Sequence, residues 1–329
     1  MRLQGLVLNV PPAERAVMSM QPGSAANRHH RPGSKLDRTH EAAQEVARHR
    51  ALIESLTTLH KDASPYWDWD EMRLEGPPAK PVLRRERQNA ALKALKHYHP
   101  SILDKLTGKA KEKRAALIKE FDEAERSDAQ ANKVLKEEYA RTHAEWKQRV
   151  SLASRVVARD SRVYYDALKL VNPFGRIPGL GRSVGFSVED GKPLQMEIAV
   201  YSEDEFPREV KVLSKSGAVA TREMPPTTLR GLHATHVCSA ALRAAREVFA
   251  HLPVDMAIVT ATTMVLNTTT GHSTNMPILS AAITRRGVDA LNFLALDPVD
   301  AMANFVHRMD FKKIKGFSPI EPLEPKDVE

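Results

Sequence analysis

The triplet Glu209-Val210-Lys211 is the arrangement in this 329-residue chain that comes nearest to a catalytic signature. Restriction-type nucleases use two carboxylates to hold a divalent cation that activates water, and a lysine to stabilise the charge that develops on the phosphate. Asp190 or Glu197, upstream, would supply the second carboxylate, so the catalytic set would be Asp190, Glu197, Glu209 and Lys211 with Mg²⁺ or Mn²⁺ as cofactor. Two features weigh against it. Pro207 and Arg208 stand where a buried strand would begin, and acid-x-lysine triplets are common by chance. Outside the nuclease reading the sequence asks for no cofactor.

Other chemistry-bearing residues are sparser. His233 and His236 lie three apart on one helical face, but Cys238 points elsewhere by about 140° and no second ligand pair is visible. His272 sits in the polar loop NTTTGHSTN with Thr270 beside it, a pairing that suits an anion or a polar substrate group, against the plain alternative of a surface turn. Gly179-x-Gly181-x-x-x-Gly185 has a strand where a dinucleotide loop needs a helix. No phosphate-binding GxxxxGK(S/T), GxSxG or HExxH is present, which disfavours nucleotide hydrolases and the familiar serine and zinc hydrolases. Basic residues cluster at Arg84-Arg85 and at Lys111, Lys113 and Arg114. These could follow a phosphate backbone, although interleaved glutamates favour a solvated helix face.

The elements that must hold these residues begin with Thr227–Pro253. Leu229, Leu232, Val237, Ala240, Ala241, Ala244, Val248, Phe249 and Leu252 recur at three and four, which predicts a core helix. Before it, Val184, Phe186 and Val188, then Leu194, Met196, Ile198 and Val200, alternate on either side of Asp190-Gly191 and predict a hairpin. Arg208 to Leu213 reads as a third strand or a short helix. After the core helix, Met256–Val265 reads as a central strand and Pro277–Thr284 as another, and Asp297 starts a helix over Ala301–His307.

Upstream the period is helical. Residues 1–34 read as a disordered leader, and 35–171 as a helical, coiled-coil-like arm interrupted by a Pro-rich linker at 76–81. Ser64-Pro65 predicts a helix start, and Ile102, Leu103 and Leu106 form a short amphipathic piece ending near Gly108. From Lys109 to Asn172 neither glycine nor proline interrupts the pattern, which predicts one long helix, self-associating or packed against the helices of Arg84–Leu106. Asp128 breaks its apolar seam. Residues 172–323 then form an α+β domain, a mixed or antiparallel sheet of about four to five strands packed on the central helix, and 324–329 a polar tail.

Composition narrows the class. No run approaches the ~20 apolar residues of a membrane span. The single cysteine excludes an internal disulfide framework and fits a reducing, cytoplasmic setting. Net charge is +8, and Arg84–Arg149 alone holds 17 basic against 11 acidic residues, which permits nucleic-acid binding without requiring it.

Read together, PREVKVLSKSG, MPP, VCSAALRAAREVFAHLPVDMAIVTA, TTGH, PILS and DPVDAMANFVHRMDFKKIKGFSPIEPL resemble a widespread group of uncharacterised bacterial proteins. In that group a helical, coiled-coil segment precedes the same kind of α/β domain. The resemblance runs from about Leu56 to Leu323, is most specific at Val237–Ala261 and Leu296–Phe317, and implies a bacterial source and a two-part architecture. It brings no catalytic residue with it. The expected function is a non-catalytic interaction or scaffold module that meets a protein partner, or itself, through the helical arm, with no membrane partner. The alternatives are the metal-dependent nuclease and a basic nucleic-acid-binding protein.

Overall fold

The computed structural model describes residues 7–9, 35–267 and 271–328. The fold is α+β, a helical arm followed by a mixed sheet packed on a buried helix. The described residues form two compact units, one comprising those up to Asp68 and from Arg155 onward, the other Trp69–Ser154.

The first unit is built on a seven-stranded sheet of order β1-β2-β3-β6-β7-β8-β9: β1 (Val7–Asn9), β2 (Ser183–Ser187), β3 (Leu194–Ala199), β6 (Met256–Asn267), β7 (His272–Thr284), β8 (Val306–Lys312) and β9 (Gly316–Ser318). Only β3 and β6 run parallel; every other pair is antiparallel. The predicted β2–β3 hairpin forms, with Gly191 at φ +71° in its turn, a conformation open to glycine at little cost. The sheet is larger than the expected four or five strands. Val7–Asn9, inside the expected leader, adds an edge strand, and the basic run near Lys312 folds back as a hairpin. The helix expected over Ala301–His307 is one turn, α9 (Pro298–Ala301), capped by Asp297, before the chain extends into β8.

Arg208–Leu213 contributes a strand to neither side of that sheet. Instead β4 (Glu209–Leu213) and β5 (Val219–Glu223) form a separate two-stranded hairpin. Helix α1 (Lys35–Thr57) lies on it, with Leu56, Phe206, Met224 and Leu229 forming a small shared core.

The central helix, α7 (Pro226–His251), is buried on nearly every side from His233 onward. Ala240, Ala241, Ala244 and Ala245 are fully buried, and their small side chains let the helix come close to β6 and β7. The sequence hides a second stripe on the same helix, made of His233, His236, Ser239, Arg243, Glu247 and His251, all buried and polar. Polar groups at such depth need partners, and most of them come from the segment after α1. His236 Nδ1 bonds the Leu56 carbonyl at 2.9 Å, and the His60 amide donates to Ser239 Oγ at 3.0 Å. Arg246 donates to the His60 and Asp62 carbonyls, the Ser64 amide donates to Glu247 Oε1 at 2.9 Å, and the Trp67 amide donates to the Ala250 carbonyl. Residues 56–67 are thus a strap along α7. Ser64-Pro65 starts no helix; the Ser64 amide donates to Glu247, and the next helix, α2, is Trp69–Arg73.

Arg243 and Glu247 form a buried ion pair at 2.7 Å. Removing one partner of such a pair strands the other and costs about 3–5 kcal/mol. The opposite face of the sheet is partly covered by the end of the chain. Leu323 packs on Ile258 and Ala282, and its amide donates to Ser280 Oγ at 3.0 Å.

The second unit is an antiparallel helical hairpin. Its first limb holds α3 (Glu86–His97) and α4 (Ile102–Leu106). Its second is most of α5 (Lys109–Val157), a helix of 49 residues and about 70 Å. Trp146 Nε1 donates to the Glu75 carbonyl, Asn132 bonds both backbone groups of Arg84, and Asp128 Oδ2 accepts from the Gln88 amide at 2.9 Å. Asp128 therefore does not spoil the seam. It is buried and caps α3 from the facing helix, where the N-cap residue Arg85 offers no side-chain bond.

The long helix ends earlier than the pattern predicts. The Asp160 amide bonds the Arg155 carbonyl and the Arg159 amide bonds that of Val156, a Schellman motif with Arg159 at φ +58° in the position glycine usually takes. After it, α6 (Tyr164–Val171) closes with Asn172 at φ +45°.

The histidines of the α7 stripe set a pH dependence. Desolvation lowers the pKa of His60 and His233 and brings His236 down to about 4. The unfolded chain takes up these protons near the ordinary histidine value, so the stability they contribute is complete above it and falls as pH drops from there towards 4. His236 alone accounts for about 3 kcal/mol across that window. Urea midpoints should fall steadily between about pH 7 and pH 5, and His236→Gln should remove one titrating group from that slope.

Candidate functional site

The four residues of the nuclease reading lie in three places. Asp190, in the β2–β3 turn, accepts a bond from Ser161 Oγ at 2.9 Å and borders a groove of about 400 Å³ with Arg159, Tyr164 and Asp255. Glu197, mid-strand in β3, faces Thr262 and Asn275 at 3.4 and 3.3 Å. Glu209 and Lys211 are on β4, in the separate hairpin. Glu209 is exposed opposite Glu223, and Lys211 Nζ is paired with Glu45 Oε1 of α1 at 2.6 Å, a contact that lowers the Glu45 pKa. The lysine a nuclease would aim at phosphate is thus engaged in tying the hairpin to α1. Strand order was the missing information: β4 leaves the main sheet, so Glu209 and Lys211 are not beside Glu197. Among the described residues, no group of three or more His, Cys, Asp and Glu could hold a metal ion.

The histidines serve the fold. His233 Nε2 bonds the Tyr201 carbonyl at 2.9 Å, as His236 bonds that of Leu56, and a carbonyl partner requires the ring nitrogen to carry the proton. That nitrogen has no lone pair for a metal. Cys238 is fully buried, and burial pushes its thiol up to about 12, away from nucleophilic chemistry. His272 is exposed at the start of β7, and Thr270 lies outside the described residues.

The basic residues are more informative. Arg84 is held through its backbone by Asn132, and Arg85 stands at the start of α3. Lys113 is paired with Asp104 at 2.7 Å, a contact that lowers the Asp104 pKa. Lys111 and Arg114 instead line a hollow of about 570 Å³ at the α4 end of the hairpin, shared with Lys96, Tyr98, Leu95, Pro100 and Ala110. Lys96, Lys111 and Arg114 have no acidic partner among the described residues. The Tyr98 hydroxyl is buried there without a hydrogen bond.

Beside this hollow, α4 presents Ile102, Leu103 and Leu106 at 79%, 73% and 79% exposure. These are values normal for lysine and abnormal for three neighbouring aliphatic side chains. The local sequence dictates the presentation. Ser101 and Asp104 form a reciprocal capping box, and Lys113 holds Asp104 from α5. Asp104 faces α5; at about 100° per residue Ile102 and Leu106 fall about 160° round the turn from it, and Leu103 about 100°. Pro100 and Ala110, which bracket α4 in the chain, both line the hollow, so α4 adjoins it. Lys111, Arg114 and the amphipathic pattern of α4 are legible in the sequence; Lys96 and Tyr98 join the site only once the hairpin closes.

Comparison with known proteins adds no assignment: no protein-family model, curated protein or solved structure matches the chain. Among the described residues, no helix is long and apolar enough to cross a membrane.

The capping box is testable by itself. Ser101→Ala should weaken α4 by about 1 kcal/mol. Amide hydrogen exchange over Ile102–Leu106 should then quicken roughly fivefold, while the protection of α7 is unchanged.

Proposed function

We propose that this chain is a non-catalytic, cytoplasmic interaction module whose helical arm makes contact with a partner through the surface formed by α4 and the adjoining hollow. The observation that carries the reading is the exposure of Ile102, Leu103 and Leu106 on a turn locked in place by its own cap. An aliphatic cluster held rigidly in water is unfavourable for an isolated molecule and favourable once covered. The dispersal of Asp190, Glu197, Glu209 and Lys211 supports the same reading against a nuclease.

Association through the seam of α5, as in a parallel coiled coil, is the weaker form of the idea. Leu117, Phe121 and Leu135 are half-buried, on the face of the helix that carries Asp128 and Asn132 to their bonds with α3 and Arg84. The resemblance of Val237–Ala261 and Leu296–Phe317 to bacterial proteins, together with the single buried cysteine, supports a bacterial cytoplasmic setting.

A photo-crosslinking residue at position 103, introduced into the full chain in cells, should give a specific adduct, whereas the same probe at the equally exposed position 314 should give none. Absence of any adduct at 103 would remove the arm from the function. Incubation of purified protein with DNA and RNA in Mg²⁺ or Mn²⁺ should leave both intact, and cleavage that disappears in Lys211→Ala would overturn the reading in favour of the nuclease.

A further inference from the structure

The arm surface combines two features that seldom occur together by accident: aliphatic side chains standing clear of the protein, and cations with no acidic partner among the described residues. Ile102, Leu103 and Leu106 form a protrusion rather than a groove, each more than seven-tenths exposed. A protein groove that receives such a protrusion must be shaped to it, whereas the acyl region of a bilayer yields to any apolar shape of this size. Next to the protrusion, Lys96, Lys111 and Arg114 converge on the hollow from two helices, and the acidic residue of the first turn of α5, Glu112, forms no ion pair with them. Like charges so placed repel one another, and the repulsion is relieved by an anion. Tyr98 lines the same hollow, and its hydroxyl is buried without a hydrogen-bond partner among the described residues. Lys113, the neighbouring cation, is already used by Asp104 to hold the apolar turn outward.

We infer that the arm docks on an anionic phospholipid surface, with a headgroup phosphate in the hollow against Lys96, Lys111 and Arg114, and Leu103 and Leu106 entering the headgroup–acyl boundary. This rests on the interaction-module reading and names its partner. One short apolar turn gives shallow, reversible attachment, and basic residues at the surface provide the second attraction that peripheral binding needs. The charge pattern selects the partner: neutral membranes offer the apolar turn a place but leave the three cations uncompensated.

The test is co-sedimentation of the full chain with phosphatidylcholine vesicles and with vesicles that also contain phosphatidylserine. Binding should require the anionic lipid and weaken with salt. Lys111→Glu with Arg114→Glu should weaken partitioning by roughly thirtyfold or more. Leu103→Asp with Leu106→Asp should abolish it, whereas Lys312→Glu with Lys313→Glu, which changes the charge of β8 and the turn after it by as much as the Lys111→Glu, Arg114→Glu variant changes that of the arm, should leave it nearly intact. Circular dichroism confirms that each variant is folded. Equal loss in the β8 variant would reduce the attraction to net charge and overturn the proposal. Absence of vesicle binding would also overturn it, and there the crosslink at position 103 separates the two ideas. A protein adduct without lipid binding keeps the module and discards the lipid; no adduct and no lipid binding discard both. Retention of DNA or RNA oligonucleotides in place of vesicles, lost in the Lys111→Glu, Arg114→Glu variant, would assign the hollow to nucleic acid and refute the lipid.

Discussion

The first unit depends on a helix that has nowhere to put its polar side. Alanines fit α7 closely to the sheet, while His233, His236, Ser239, Arg243 and Glu247 are carried into the interior on other faces. Left bare, that stripe would be a solvated surface. Covered by an apolar element, it would hold stranded donors, acceptors and a charge pair. The strap of residues 56–67, the last turn of α1, a single 3-10 turn and the segment after it, resolves the conflict chiefly with backbone groups that offer donors and acceptors in close succession. Much else follows from that fit. Helix α1 is brought to the β4–β5 hairpin, Lys211 meets Glu45, and Tyr66 comes within 2.9 Å of Arg285, which also binds the carbonyls of Leu252 and Val254.

The second unit is organised by polar contacts of another kind. Its helices are largely solvated, so a narrow apolar seam is supplemented by side chains of α5 that bond backbone groups of the facing limb. Asn132 holds Arg84, Asp128 holds the start of α3, and Trp146 holds Glu75. These contacts fix register, since each requires one particular partner at one height. Register in turn decides which cations share the hollow. A slip of one turn would carry Lys111 and Arg114 about 5 Å past Lys96 and Tyr98.

Periodicity exposed whatever depends on hydrophobic spacing alone. The three-four spacing of Leu229 to Leu252 marked α7, and alternation about Asp190-Gly191 marked the β2–β3 hairpin, both of which form. The features that escaped are those in which a residue serves an element distant in sequence. Asp128 looked like a flaw in the seam because the helix it caps lies some forty residues earlier. Ser64 has the residue type of a cap, and its bond is made instead to Glu247, 183 positions later. Arg159 in a left-handed position left no mark, since arginine is an unusual choice there. The candidate site was legible in the same measure. Lys111, Arg114 and the pattern of Ile102, Leu103 and Leu106 could be read, but whether an amphipathic turn buries its apolar side or presents it is decided by tertiary neighbours. Conversely, Glu209 and Lys211 were grouped with Glu197 on proximity in sequence, which the departure of β4 from the main sheet cancels.

The strap also sets a timetable. Its bonds to α7 join residues separated by 179 to 186 positions, with most of the arm and the first strands of the sheet translated in between. At about 5–20 residues per second, a ribosome needs roughly 10 to 40 s to supply the helix that residues 56–67 are shaped to meet. During that interval Leu56 and Leu59 have no native partner on α7, whereas the hairpin of Trp69–Ser154 already possesses all of its own contacts. The helical arm is thus equipped to finish early, while the strap must wait for α7.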